Sequence, residues 1–335
     1  MEFKLIAANF LSPPVLFFLL GIIAVLVRSD LKMPEGAAKF LTLYLLFDIG
    51  IKGGQELNHS GLSTDILLIL LACVLLSAAI PYFAYKILRF KLNEYDAGAI
   101  AAAYGSVSAV TFATAVAFLQ LFGVKFGGYM VAAMALMESP AIISGLILIN
   151  VYIHKEEPGY TFDTYSSETL DKSKFKKVIH EAVTNGSVLL LIGSLLIGFV
   201  AGDQGHTDLK PFVNDIFKGV LCLYLLNMGI VAGSRLNDLR KSGIFLLAFS
   251  IVFPILCGAV GIGVSYLLHL SLGDALLMTI LCGSASYIAV PAAMQMAVPQ
   301  ANMSILIPMT LGITFPFNII IGIPLYFQTI KYFFA

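Results

Sequence analysis

Charge is scarce in this chain. Asp, Glu, Lys and Arg make up 12% of its 335 residues, about half the share usual in soluble domains. The 20 basic and 20 acidic residues cancel, so no excess of positive charge marks a nucleic-acid surface. Tryptophan is absent, leaving Tyr and Phe to anchor any membrane interface. The four cysteines, Cys73, Cys222, Cys257 and Cys282, show no CxxC spacing and sit in apolar runs. A disulfide framework and a thiolate metal site are therefore not expected. There is no phosphate-binding GxxxxGK[ST] sequence, so no intrinsic ATPase and no organic cofactor are expected. His180-Glu181 begins a zinc-protease pattern, but Thr184 stands where the second His would be. Nothing points to an enzyme.

What the chain has is apolar length: 59% of its residues are hydrophobic. Runs of about 17–25 apolar residues predict membrane helices. Ten are found, near 13–28, 36–54, 66–88, 96–122, 127–152, 186–202, 212–233, 243–268, 274–298 and 303–330. The first lacks the basic flank and small-residue cleavage site of a signal peptide and is read as a mature helix. The fold class expected is an all-α polytopic membrane protein. Its organisation is a first five-helix repeat (1–152), a polar connecting segment (153–185) and a second repeat (186–335).

The repeat is visible in particular residues. Gly105-Ser106-Val107-Ser108 recurs 178 residues later as Gly283-Ser284-Ala285-Ser286, and Asp96 and Asp274 precede the two copies at equal distance. Leu43-Tyr44-Leu45-Leu46 corresponds to Leu223-Tyr224-Leu225-Leu226, and Asp48-Ile49-Gly50-Ile51 to Asn227-Met228-Gly229-Ile230. Five helices per copy force opposite orientations, an inverted repeat. Lys and Arg fall 14 on the odd-numbered connections and 6 on the other side. The odd connections, 153–185 among them, are thus expected in the cytoplasm, with both termini outside.

The glycine-serine motifs carry the chemistry. Glycine lets the backbone leave helical geometry, and serine hydroxyls can satisfy the groups released, which lipid cannot do. The expectation is a pair of discontinuous helices, the fourth and ninth, crossing at the midplane. Each restarted half-helix offers free N–H groups and a positive dipole end, a setting for a small anion. The candidate substrate residues are Gly105, Ser106, Val107, Ser108, Gly283, Ser284, Ala285 and Ser286. Simple close packing of small residues is the competing reading for either motif alone. Asp96 and Asp274 are expected to cap the helices that follow them.

An acid inside a membrane helix costs about 2.5–3.5 kcal/mol and usually faces an ion or a pathway. Glu138, followed by Ser139 and Pro140, has no local cation. With Ser108, Thr111 and Ser139 it is a candidate Na⁺ site built from oxygen ligands; proton carriage is the rival role. Asp48 and Asn227 complete the candidate sodium residues, although Lys52 stands one turn from Asp48 and could pair with it. A monovalent anion entering a negative-inside cell is opposed by about 2.3 kcal/mol per 100 mV. A co-transported cation cancels that cost.

Long strings carry a resemblance as well. Phe10-Leu11-Ser12-Pro13-Pro14, Phe47 to Gly54, Ala103 to Phe112, Met137-Glu138-Ser139-Pro140, Leu225 to Gly229 and Gly283 to Ala293 resemble the sodium-dependent bicarbonate transporter family of cyanobacterial carbon-concentrating systems. The resemblance covers essentially the whole chain. It implies Na⁺:HCO₃⁻ symport across the inner membrane, with a core domain that holds the broken helices and moves against a gate domain. It also implies a homotrimer in the lipid bilayer and a PII-like regulatory partner, for which the connecting segment is somewhat short. A Na⁺-coupled carrier of another organic anion, or a passive anion channel, are the alternatives.

Overall fold

The structure, a computed structural model, describes residues 8–34, 36–61, 63–155, 186–235 and 243–334. Most of the connecting segment, with His180, Glu181 and Thr184, lies outside these residues, as do Arg240 and Lys241. Among the described residues every regular element is a helix.

In chain order these are α1 (Pro13–Leu26), α2 (Ala37–Ser60), α3 (Thr64–Leu88), α4 (Glu94–Gly105), α5 (Ala109–Leu121), α6 (Tyr129–Lys155), α7 (Gly186–Lys210), α8 (Phe217–Ser234), α9 (Gly243–Leu267), α10 (Leu272–Gly283) and α11 (Ala289–Ala297). The last, α12 (Met303–Phe333), is continuous but passes through two π-helical stretches, Pro308–Thr314 and Asn318–Gly322. Among the described residues seven stretches are long and apolar enough to cross a membrane, taking α4 with α5 and the end of α7 with α8 as single spans. Two shorter apolar helices, α1 and α10, accompany them. The predicted second span forms α2, but Lys39, Asp48, Lys52 and Glu56 keep it less apolar than the rest. All four cysteines are buried and free.

Local signals place the helix starts. Ser63 accepts from the Ile66 N–H ahead of α3, and Asn302 from the Ser304 N–H ahead of α12, the usual work of an N-cap. α1 begins with Pro13 and Pro14, whose missing N–H groups would be unpaired in a first turn anyway.

The helices form two packed groups. In one, α1 lies along α8, α2 along α7, and α2 also touches α8. In the other, α3 packs on α4 and α6, while α9 packs on α10 and α12. Backbone contact holds the first group. A Cβ on Gly229 would lie 2.0 Å from the Phe18 carbonyl oxygen, and one on Gly21 2.2 Å from the Leu226 oxygen. The α2–α7 pair repeats the device, with Gly54 against the Leu195 carbonyl and Gly198 against that of Ile51. Small residues permit such approach in lipid, where dispersion rather than the hydrophobic effect drives helices together.

A side-chain clamp also ties the groups to each other. Pro324 has no N–H to give the carbonyls one turn before it. The Asn9 side-chain amide takes them instead, donating to Ile319 O at 2.8 Å and Ile320 O at 3.2 Å. Asn9 is buried just ahead of α1, so the N-terminal approach of one group clamps the π-helical bend of the other.

Gly229→Ala should therefore push α1 from α8 and cost about 1–3 kcal/mol, read as a lower thermal midpoint of the detergent-solubilised protein. Gly263→Ala, where nothing lies within 4 Å of the added carbon, should leave the midpoint in place.

Candidate functional site

Both glycine-serine motifs break their helices. α4 ends at Gly105, where a Cβ would lie 2.3 Å from Pro81 Cγ of α3. α10 ends at Gly283, where a Cβ would lie 2.9 Å from the Pro254 carbonyl of α9. Ser106 and Ser284 then turn to extended geometry, φ −86° and −95°.

The breaks differ in length, although the sequence motifs match. The first consists of Ser106, Val107 and Ser108, and α5 resumes at Ala109. The second runs from Ser284 to Ile288, and α11 resumes at Ala289. Pro291 accounts for the difference. A restart two residues earlier would put that ring in a helix interior, where it clashes and removes a bond. Starting at Ala289 keeps it in the first turn.

The released backbone groups are satisfied mostly across the breaks. The Ser108 N–H donates to Ser284 Oγ at 3.1 Å, and the Ser286 N–H donates to the Ala103 carbonyl at 2.8 Å. Asn318, in a π-helical stretch of α12, donates from Nδ2 to the Gly283 carbonyl at 2.8 Å. Ser106 Oγ reaches the backbone carbonyl of Glu138 at 3.4 Å. Ser108 Oγ accepts from the Thr111 N–H at 3.2 Å and from the Thr111 hydroxyl at 2.9 Å. Ser286 Oγ accepts from the Val290 N–H at 3.3 Å.

The helices leading to the breaks start one turn earlier than Asp96 and Asp274 suggested. Asn93 and Ser271 are the caps, each accepting from the N–H of the aspartate three residues on. This frees a carboxylate oxygen of each aspartate for a distant strut. Asp96 Oδ1 accepts from the Asn302 N–H at 2.7 Å, ahead of α12, and Asp274 Oδ1 from the Gly127 N–H at 2.6 Å, ahead of α6. A sequence shows a cap within one turn but not a partner some 150–200 residues away.

Beside the crossing is a cavity of about 120 Å³. Val107, Ser108, Ala109 and Val110 line it from the first break, and Ser286, Tyr287, Ile288 and Ala289 from the second. Glu138 of α6 faces it, while Thr42 and Leu46 of α2 and Ser187 and Leu191 of α7 close it from the other helix group. None of the lining residues is basic. The N–H groups of Ala109, Val110 and Ala289 belong to first turns and have no intrahelical partner. The C-terminal ends of α4 and α10 arrive at the same crossing with negative dipole ends. Partial charge of both signs therefore meets here.

The candidate residues distribute as follows. Val107, Ser108, Ser286 and Glu138 line the cavity. Gly105, Ser106, Gly283, Ser284 and Ala285 form the buried frame behind it. Thr111 is buried one turn into α5, tied to Ser108, and Ser139 is half-buried beside Glu138. Asn227 is buried on α8. Asp48 is fully buried on α2 and away from the cavity wall. Its Oδ2 accepts from Lys52 Nζ at 2.8 Å, its Oδ1 has no partner among the described residues, and the ammonium lies 4.4 Å from the centre of the Phe217 ring. The cavity also takes in Thr42, Ser187 and Tyr287, which sequence reasoning left out. Tyr287 had a signal in its place directly after Gly-Ser-x-Ser; Thr42 and Ser187 lie in ordinary helical runs.

Residues 13–331 match the family model of the Na⁺-dependent bicarbonate transporter superfamily. The chain belongs to that superfamily. No curated protein sequence matched it. As a superfamily member it is a transporter rather than an enzyme, a multi-pass membrane protein of a family whose ions are sodium and bicarbonate.

Ser284→Ala should strand the Ser108 N–H inside the transporter at a cost of about 1–3 kcal/mol. A thermal midpoint equal to wild type would show that this bond does not hold the crossing.

Proposed function

We propose that the protein is a secondary active symporter that carries bicarbonate into the cell with Na⁺. The observation that carries this reading is the cavity at the two breaks. Half-helix N-termini offer N–H donors there, Glu138 contributes a carboxylate, and among the described residues no basic side chain lines it. An anion alone would sit unfavourably beside a carboxylate in a site of low dielectric. A hard cation between them reverses the sign of that interaction. Oxygens of Glu138 and Ser108, with Thr111 and Ser139 adjacent, suit Na⁺; the N–H groups of Ala109, Val110 and Ala289 suit the anion. Asp48 and Asn227 lie in the other helix group, so we assign them a role in the gate's polar interior rather than first contact with this ion.

The architecture we infer is ten membrane segments in two inverted five-helix repeats. The support is the paired breaks, the paired aspartate struts and the crossed packing of α1 with α8 and α2 with α7. The group of α1, α2, α7 and α8 is the gate, and the group with the broken helices is the core. Ser187 lies at the start of α7, directly after the connecting segment. With that segment in the cytoplasm, as its lysines favour, the cavity opens inward and the Asn9 clamp lies on the outer side. An inner-membrane location with both termini outside, homotrimeric assembly and a PII-like partner at the connecting segment rest on charge placement and on the family. A carrier of larger organic anions is disfavoured, because ligand pockets for drug-sized molecules run about 300–1,000 Å³.

Purified protein in liposomes should accumulate radiolabelled bicarbonate when Na⁺ is higher outside and fail to do so when Na⁺ is equal on both sides. Equal uptake in the two conditions would sink the symport reading and favour a passive channel. Glu138→Gln should remove the Na⁺ dependence of uptake, and an unchanged Na⁺ response would rule out its carboxylate as the ion's ligand.

A further inference from the structure

Two tyrosines meet where the second break faces the gate. Tyr287 belongs to the break and lines the cavity, its ring edge-on to Phe315 with centroids 5.3 Å apart. Tyr224 reaches it from α8, in the other helix group. Tyr224 is wholly enclosed and Tyr287 is 8% exposed. Among the described residues neither hydroxyl has a hydrogen-bond partner. The polar groups near enough to interact with them are each other, Thr42 and Ser108, though none meets full hydrogen-bond distance and angle.

Native structures very rarely leave a buried hydroxyl unpaired, and each exception calls for a ligand, a water or strain. Here two orphans adjoin at one wall of a cavity whose other walls are Ser108, Ser286 and Glu138. The cavity thus holds hydroxyl donors that await an acceptor. A tyrosine hydroxyl can also accept, which lets it answer an oxyanion that carries its own O–H.

We propose that Tyr287 is a substrate-contacting, specificity-determining residue, whose hydroxyl donates to the bound oxyanion, and that Tyr224 is a positioning residue that aligns it from the gate. This rests on the reading of the cavity as the bicarbonate site. The ligand class is a small planar oxyanion with an O–H, and planar anions without one, such as nitrate, fit less well. Because the two tyrosines come from opposite helix groups, the bond network closes only when core and gate are in this arrangement.

The test uses liposome uptake with three variants, Tyr287→Phe, Tyr224→Phe and the double substitution. Each keeps the ring and its packing, and melting midpoints near wild type would confirm folding. Tyr287→Phe should raise the bicarbonate KM about tenfold or more, as expected when a hydrogen bond to a charged group is lost. The Na⁺ concentration for half-maximal uptake should stay within about twofold, since the ion's ligands are untouched. Nitrate should compete relatively better against bicarbonate in Tyr287→Phe than in wild type. Tyr224→Phe should raise the KM less, and should add nothing in the Tyr287→Phe background if it acts through Tyr287. A wild-type KM in Tyr287→Phe would overturn the proposal and leave ordered water as the partner. Additive effects in the double variant would overturn the positioning role. If wild type shows no Na⁺-driven bicarbonate uptake, the transport reading fails separately. The tyrosine assignment is then judged by bicarbonate-dependent thermal stabilisation, which wild type should show and Tyr287→Phe should lose; no stabilisation in wild type would overturn it too.

Discussion

Everything at the centre of this molecule follows from one constraint: a backbone that leaves helical geometry at membrane depth must have its N–H and C=O groups met by protein. Two breaks placed side by side solve this for each other. Ser284 Oγ accepts the Ser108 N–H of the first break, and the Ala103 carbonyl of the first helix accepts the Ser286 N–H of the second. Neither break could stand alone in lipid. The polar bonds that stabilise the crossing also fix where its remaining N–H groups point, so the site is a by-product of satisfying the backbone.

The division into two helix groups has a matching physical origin. Within the first group, glycines bring backbones into contact, with Gly21 against α8 and Gly54 against α7. Within the second, aspartate struts hold helix starts far apart in sequence, Asp96 at Asn302 and Asp274 at Gly127. Contacts between the groups are more mixed. Besides the Asn9 clamp and the cavity wall, where Thr42, Leu46, Ser187 and Leu191 face the breaks, they include a close approach of the α2 backbone at Gly53 to Gly128 and an edge contact of Phe18 with Phe315.

How far the sequence reads this architecture depends on the range of the interaction. The breaks at Gly105 and Gly283, the helices around them and the isolation of Glu138 from any cation are local facts, written in a few adjacent residues. The repeat is legible because the same short strings recur. Features set by distant partners are not legible in this way. Asp96 and Asp274 look like caps because their struts connect residues some 150–200 positions apart. The two extra residues in the second break depend on Pro291, whose meaning appears only when its place in the restarted helix is known. Asn9 looks like a surface residue ahead of α1 until the proline-freed carbonyls of α12 are set beside it. Tyr224 lies in an ordinary apolar run and Tyr287 is marked only by its place after Gly-Ser-x-Ser, because the absence of a hydroxyl partner is a property of three dimensions alone.

The asymmetry between the breaks bears on the chemistry. Pro291 has no N–H, and the Val290 N–H is occupied by Ser286 Oγ, so the first turn of α11 has fewer donors than that of α5. At α5 the capped N–H is that of Thr111, which leaves Ala109 and Val110 open toward the cavity. An anion bound as proposed would therefore be held mainly by the first. The second break compensates with a longer loop, and that extra length is what brings the Tyr287 side chain to the cavity wall. Sequence symmetry supplied two equal frames, and one proline turned them to different uses: backbone donors on one side, a side-chain hydroxyl on the other. A site with one fixed half and one half facing the other helix group is suited, on the proposed reading, to sensing whether that group is in place.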